Sequence, residues 1–422
     1  APRERLGDSA RVDMTKEEGY RSQFNYPPFQ LMMLQKQDIR NGDGVFLIRN
    51  DNLKAGEITP ADKVIPGNFI TAKGALQSML VIKPDGKPEL YHYCQANSQF
   101  EEITLDCPTE LYPILRGFTL AKGSFLPNSG DQLFVAGPEG MVLLGFEVTS
   151  GPCSKNGSAA RVNILWRSDE PILAGVGLQN DRQLTSGDLS GDRVDELLLF
   201  DKEGSWKILR FSPTGSSAGE WKVVTTGEEY KVREWNTGVV EFKATAAPYL
   251  SAFSQDIILS VFRDLKTGKN SYTLLRYLPA DRKFVKVFPD RQRSVGLTIG
   301  IDTLKPTDQL MPGHFQPGKP LSFFRYNRDW RYDLKDIQFN DSTFQILASV
   351  DFKGYNGDNN PKYYEILKLH TGNWIDPTVT SVLVIARNCK DPDFAGGDCS
   401  EYEEIHDLPG TLQLYSVTQN KP

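Results

Sequence analysis

Short apolar runs separated by turns recur along this chain, and runs of that length bounded by Gly, Pro, Asn and Asp predict strands rather than long helices. Phe29–Leu34 and Val45–Ile48 flank Asn41-Gly42-Asp43-Gly44, which reads as a hairpin. Next, Pro66-Gly67-Asn68-Phe69 leads to Met79–Ile82, a turn at Lys83-Pro84-Asp85-Gly86, and Glu89–Tyr93. The order returns. Lys122-Gly123-Ser124-Phe125 leads to Gln132–Ala136, a turn at Gly137–Gly140, and Met141–Phe146. Ser186-Gly187-Asp188-Leu189 leads to Leu197–Phe200 and Trp206–Leu209. Pro312-Gly313-His314-Phe315 precedes Leu321–Tyr326, and Thr371-Gly372-Asn373-Trp374 precedes Ser381–Ile385. Ala247-Pro248-Tyr249-Leu250, ahead of Asp256–Val261, is a degenerate copy.

These units recur about every 60 residues. A unit of that size with three or four short strands is a propeller blade, because its two faces are covered only by stacking on neighbours. The expected fold is therefore all-β: a β-propeller of seven blades, or of six if the N-terminal hairpin completes the last blade. Pairing of N- and C-terminal strands would close the ring and remove its free edges, with Thr411–Val417 as the expected partner of Phe29–Leu34. Residues 1–23, charged and poor in apolar residues, read as an N-terminal arm, and residues 24–422 as a single propeller domain. After each recurring glycine comes a polar residue and then an apolar one, so the apolar residue is expected between blades and the polar one towards a neighbouring loop or the axis.

Composition narrows the class. The chain has 422 residues, 39% apolar and 24% charged, with 36 Gly and 26 Pro, as suits a soluble globular protein rich in turns. A net charge of −6 without a long basic face argues against nucleic acid, and no apolar run is long enough for a membrane span. The N-terminus lacks Met and an apolar signal core, as after signal-peptide removal or at a boundary of the expressed chain. Of five cysteines, Cys94 with Cys107 and Cys389 with Cys399 are the expected disulfides, leaving Cys153 spare. With the sequons at Asn156 and Asn340, this favours a secreted or cell-surface protein. No C-x-x-C occurs, and His92, His314, His370 and His406 lack zinc spacing.

The stretch Gly187–Phe200 carries the clearest chemistry. Asp188, Ser190, Asp192 and Glu196 place oxygens at positions one, three, five and nine of a tight loop, Gly191 allows the turn, and the Val194 carbonyl stands at position seven. Alternating oxygen ligands of this kind suit a structural calcium ion. These residues resemble the FG-GAP/VCBS repeat of integrin-alpha-like β-propellers, whose usual form is G-D-x-[DN]-G-D-G-x-[DP]-[DE]-L. Ser190 replaces Asn or Asp and Arg193 replaces Gly, both of which weaken an ion site, and a plain Asp/Gly turn is the alternative. The resemblance implies an extracellular propeller with a calcium-stiffened loop. Asp351–Pro361 looks like an expanded copy with broken spacing.

Phe324–Tyr332 interleaves cations with rings. Arg325, Tyr326, Arg328, Trp330 and Arg331 form a set able to stack on sugars or grip an acidic group, although two exposed strands would read the same way. No nucleophile elbow or phosphate-cradling loop occurs. Two functions stay open. One is a non-enzymatic binding module for an extracellular glycan or protein. The other is a polysaccharide-degrading enzyme of the lyase type, using His92 or His314 with a nearby Tyr and Arg.

Overall fold

In the computed structural model, residues 30–38, 44–49 and most of 58–389 are described, the longest exceptions within the last range being 228–239, 249–253, 265–269, 289–308, 315–321, 327–332 and 356–360. The described chain is all-β. An N-terminal hairpin, β1 (Gln30–Asp38) and β2 (Gly44–Arg49), precedes a first antiparallel sheet of β3 (Lys63–Gly67), β4 (Ser78–Ile82), β5 (Pro88–Cys94) and β6 (Gln99–Asp106). A short helix α1 (Tyr112–Leu115) leads to the second: β7 (Thr119–Gly123), β8 (Gln132–Gly137), β9 (Gly140–Ser150) and β10 (Ala159–Ser168). After a small ribbon, β11 (Ile172–Leu173) and β12 (Val176–Gly177), the third sheet holds β13 (Arg182–Gly187), β14 (Glu196–Asp201), β15 (Trp206–Pro213) and β16 (Gly219–Gly227). The fourth is β17 (Val240–Ala247), β18 (Ile257–Asp264), β19 (Asn270–Leu278) and β20 (Lys283–Phe288). The fifth is β21 (Gln309–Gly313), β22 (Ser322–Tyr326), β23 (Asp333–Asn340) and β24 (Thr343–Asp351). The short β25 (Gly354–Tyr355) pairs with β26 (Pro361–Gly372), which pairs with β27 (Ser381–Cys389).

The sixth sheet joins the two ends of the described chain. β27 pairs antiparallel with β1, Met33 opposite Leu383, and β1 pairs with β2. The parallel β6–β10 pair joins the first two sheets into one eight-stranded sheet; taken as two four-stranded meanders, they bring the meanders among the described residues to six, and the N-terminal hairpin pairs with the last of these through β1 and β27. The expected pairing of chain ends is observed, but β27 is the partner of β1; Thr411–Val417 and the 1–23 arm lie outside the described residues.

Both faces of β4, β8 and the Glu196–Phe200 stretch of β14 are buried, which is why these strands read as continuous apolar runs and not as alternating ones. In β14, Leu197 and Leu199 pack with Phe134 and Leu143 of the second sheet, while Leu198 and Phe200 pack with Ile258 and Leu275 of the fourth. Another core lies between the first and second sheets, where Leu80, Ile82 and Leu90 meet Leu133, Val135 and Val142. A further core places Leu383 and Ile385 of the sixth sheet against Val64, Met79 and Val81 of the first. At roughly 1.5–3 kcal/mol for each fully buried large aliphatic side chain, this inter-sheet burial dominates the stability. The first strands are neighbours in the order β3, β7, β13, β17, and again β21, β26, β3.

A second, polar device repeats at these junctions. The residue after each recurring glycine exchanges two hydrogen bonds with the residue that precedes the second strand of the next sheet. The Asn68 N–H donates to Asp131 Oδ2 (2.8 Å) and the Asp131 N–H to the Asn68 carbonyl (3.0 Å). Ser124 does the same with Asp195 (2.8 and 2.9 Å) and Asp188 with Asp256 (3.1 and 2.8 Å). His314 pairs with Thr380 through its Oγ1 (2.8 and 2.7 Å). Asn373 pairs with Gln77 through its Oε1 (2.9 and 2.9 Å), so the sixth sheet is latched to the first. The glycines serve this approach: a Cβ on Gly123 would stand 2.8 Å from Asp195 Oδ2, and one on Gly187 would stand 2.7 Å from Asp256 Oδ2. Phe69, Phe125, Leu189 and Trp374, the apolar members of the repeat, are buried as expected.

The cysteines pair otherwise than expected. Cys94 bonds Cys153 and Cys107 is free. The cause is the parallel pairing of β6 with β10, Thr104 opposite Ala159, which draws the outer strands of the first two sheets together and brings the loop after β9 beside the end of β5. The disulfide therefore joins two sheets instead of closing a hairpin. Cys389 ends β27, and Cys399 lies outside the described residues.

Candidate functional site

The loop from Asp188 to Asp195 connects β13 to β14, and its shape is set by one carboxylate. Asp188 Oδ1 accepts from the N–H groups of Gly191 (2.7 Å) and Asp192 (3.0 Å), and Oδ2 accepts from that of Arg193 (2.8 Å). An aspartate at the head of a turn gathers backbone donors in this way. The resulting curl takes Gly191 to φ 81° and Arg193 to φ 72°; the latter is a strained conformation for a side chain with a Cβ, at the position where the resembling repeat has Gly. The Val194 N–H donates to Asp192 Oδ1 (3.0 Å).

Arg210, on the neighbouring strand β15, fills the mouth of the loop. Its guanidinium pairs with Asp192 Oδ2 and stands 3.1 Å from Glu196 Oε1. Glu196 also accepts from Ser190 Oγ (2.9 Å) and the Leu189 N–H (3.0 Å). Its side chain is only 3% exposed, against 33% for Arg210 and 47% for Asp192. Burial pushes the Glu196 carboxyl up to about 7 despite the Ser190 hydrogen bond and the Arg210 charge, and Asp192 adds to the rise. For Asp192, burial raises the value but the Arg210 bond outweighs it, leaving the carboxyl below its ordinary range. Burial lowers Arg210, but Asp192 and Glu196 together hold it above its usual value.

This arrangement does not fit a calcium ion. Asp188, Ser190, Asp192, Val194 and Glu196 do come together in one loop, as expected, but the Arg210 guanidinium meets Asp192 and Glu196, and the Asp188 carboxylate is taken up by three backbone N–H groups. Among the described residues the one trio of His, Cys, Asp or Glu ligand atoms within 4.8 Å of each other is Cys94, Glu101 and Cys153, whose two sulfurs are bonded to one another. A hard cation needs six or more oxygens at a common centre, and here a guanidinium meets two of the carboxylates. The expectation missed Arg210 because it lies on the next strand, but a sequence signal existed: a cation placed on the strand adjoining an acidic loop. Asp195, inside the resembling motif, points away from the loop and latches Ser124.

The other expected residues do not assemble on the described chain. Arg325 and Tyr326 end β22, opposite Leu310 and Gln309 of β21, while Arg328, Trp330 and Arg331 lie outside the described residues. Of Asp351–Pro361, Gly354 and Tyr355 pair with Lys362 and Pro361 as a hairpin, and 356–360 are not described. His92 is 5% exposed, its Nδ1 lies 3.2 Å from Ser78 Oγ, and burial lowers its pKa despite Glu101. Tyr91 and Tyr93 are core residues, so this strand offers no base to a polymer. The backbone of His314 is spent on its latch with Thr380.

An open cleft lies between the first and second sheets. Phe69, Ile70, Thr71, Asn128, Phe146 and Val148 line it. The Phe69 and Phe146 rings are 4.8 Å apart and tilted by 56°, and Val148 is 40% exposed. Its hydroxyls are already committed: Thr71 Oγ1 donates to the Leu76 carbonyl (2.8 Å) and Ser129 Oγ to that of Leu126 (2.8 Å). The latch of Asn68 to Asp131 and the Cys94–Cys153 bond fix the two walls. Among the described residues no helix is long and apolar enough to cross a membrane.

No family model and no curated protein matches this chain. The likeness of Gly187–Phe200 to the FG-GAP repeat therefore rests on those residues alone.

Proposed function

We propose that the chain is a six-bladed β-propeller that works as a non-enzymatic binding module outside the cell and that grips a protein ligand in the cleft between its first two sheets. Six meanders, with apolar cores between the sixth and first, first and second, second and third, and third and fourth, support the propeller. The inter-sheet disulfide suits an oxidising compartment. The committed hydroxyls of the cleft carry the choice of ligand. A sugar needs free donors and acceptors, whereas apolar walls of Phe69, Phe146 and Val148 suit an apolar anchor side chain of a peptide segment. The enclosed His92 weighs against the lyase reading. Arg210 takes the part expected of calcium, so the module needs no ion to hold its rim.

The test is a peptide-display selection run beside a glycan array and an ultraviolet assay for unsaturated sugar product. Selected peptides should share an apolar anchor and lose binding to a Val148→Glu variant, which alters an exposed position and leaves the core intact. Glycan binding that survives Val148→Glu, or any unsaturated product, would overturn the reading.

A further inference from the structure

We propose that the ring has one designed seam, between the fourth and fifth sheets, where it opens. The inference rests on the ring reading above and uses the latch as its measure. Five junctions carry three matched features: a glycine ending the first strand, a following residue with a backbone N–H, and a side-chain acceptor just before the second strand of the next sheet. The strand registers locate the same three positions at the remaining junction. Ala247 stands opposite Ile257 as Gly187 stands opposite Glu196, so Ala247 is the glycine position and Pro248 the donor position. Gly313 stands opposite Ser322, and the residue before Ser322 in the sequence, where the other junctions carry their acceptor, is Leu321.

All three features are missing together. Pro248 has no N–H, and Leu321 has no acceptor. Ala247 carries the Cβ that the approach of an acid forbids, given that a Cβ on Gly67, Gly123 or Gly187 would lie 3.1, 2.8 or 2.7 Å from the latching carboxylate. Pro248 is also exposed, whereas Asn68, Ser124 and Asp188 are 5, 2 and 8% exposed. Loss of one feature would be a lapse in a repeat; loss of donor, acceptor and clearance at one junction marks a joint without the latch. Counted around six sheets, the opposite junction is the one tied by Cys94–Cys153 and by the β6–β10 pairing. A ring stapled at one junction and unlatched at the opposite one opens like a clasp, with the stapled pair as hinge.

Hydrogen exchange on the intact chain reads this directly. Amides of β17 and β21 should exchange roughly tenfold faster than those of β3, β7 and β13, the difference that one lost pair of hydrogen bonds makes. Transplanting the latch of the second sheet, as Ala247→Gly, Pro248→Ser and Leu321→Asp together, should slow the exchange of β17 and β21 and raise the melting temperature by about 2 °C over the sum of the separate changes. Equal exchange across the junctions of the unaltered chain would overturn the seam. So would a transplant whose parts show no coupling. Asp195→Ala separates the two levels: if it leaves exchange in the second and third sheets unchanged, the latched ring itself is wrong.

Discussion

Replacing Arg210 with Met keeps the aliphatic stem and removes the charge, and its effect should depend on pH in a direction that the loop geometry sets. Glu196 is 2% exposed and would lose the guanidinium 3.1 Å away while keeping the Ser190 hydroxyl and the Leu189 N–H. Leaving a buried carboxylate without its cation costs about 1–3 kcal/mol. The Arg210–Asp192 pair adds little, because Asp192 is 47% exposed and its charge is screened. The folded protein holds the Glu196 proton up to about pH 7, above the ordinary glutamate value of 4.5. The folded state therefore binds more protons than the unfolded chain between those values. The stability this group contributes is fully present below about 4.5 and is lost as pH rises through about 7. Without Arg210 the carboxyl titrates higher still. The gap in melting temperature between wild type and Arg210→Met should accordingly be small at pH 5 and widen to several degrees by pH 8. Calcium should raise the melting temperature of the variant, whose loop has lost its own cation, and should not raise that of wild type. A pH-independent gap, no gap, or a calcium shift in wild type would refute the assignment of Arg210 as the loop's cation.

Further outcomes follow from the same geometry. Chelator should leave the melting curve of wild type unmoved in calorimetry. Glu196→Gln should flatten the fall in stability between pH 4.5 and 7, read by urea titration at each pH. Non-reducing peptide mapping should show Cys94 joined to Cys153, with Cys107 alkylated only slowly because burial raises its thiol to about 11; Cys94→Ser should cost about 4 kcal/mol, given the 59-residue separation. Asp195→Ala should destabilise by about 1–2 kcal/mol and Asp195→Asn by less, since the amide keeps an acceptor for the Ser124 N–H.

The strands and the repeat were legible because second strands such as β4, β8 and β14 are buried on both faces and five of the six first strands end at a glycine, and both constraints leave a pattern in the chain. The pairing of the N-terminal hairpin with a late strand was legible too, but its partner was not: Ser381–Ile385 and Thr411–Val417 are both apolar enough to pair, and such a pattern carries no address. The count of sheets depended on whether Gln30–Arg49 stands alone or completes the last sheet, which only the β1–β27 pairing decides. Spacing misled for the cysteines, because a disulfide between sheets ignores sequence proximity. In the loop, the oxygens were legible and the guanidinium that meets two of them was not. Arg210 reaches Asp192 and Glu196 only through the β14–β15 pairing, a contact that no local motif encodes. The polar residues at Asn68, Ser124 and Asp188 were visible, but their partners Asp131, Asp195 and Asp256 lie over sixty residues away on the next sheet.

The proposed closed ring of six sheets is tested most directly by an experimental density map of the whole chain viewed along its first strands. Six meanders should surround one axis, with β1 paired to β27 and the Asn373–Gln77 latch joining the last to the first. A seventh sheet, or a hairpin of β1 and β2 lying apart from β27, would contradict it.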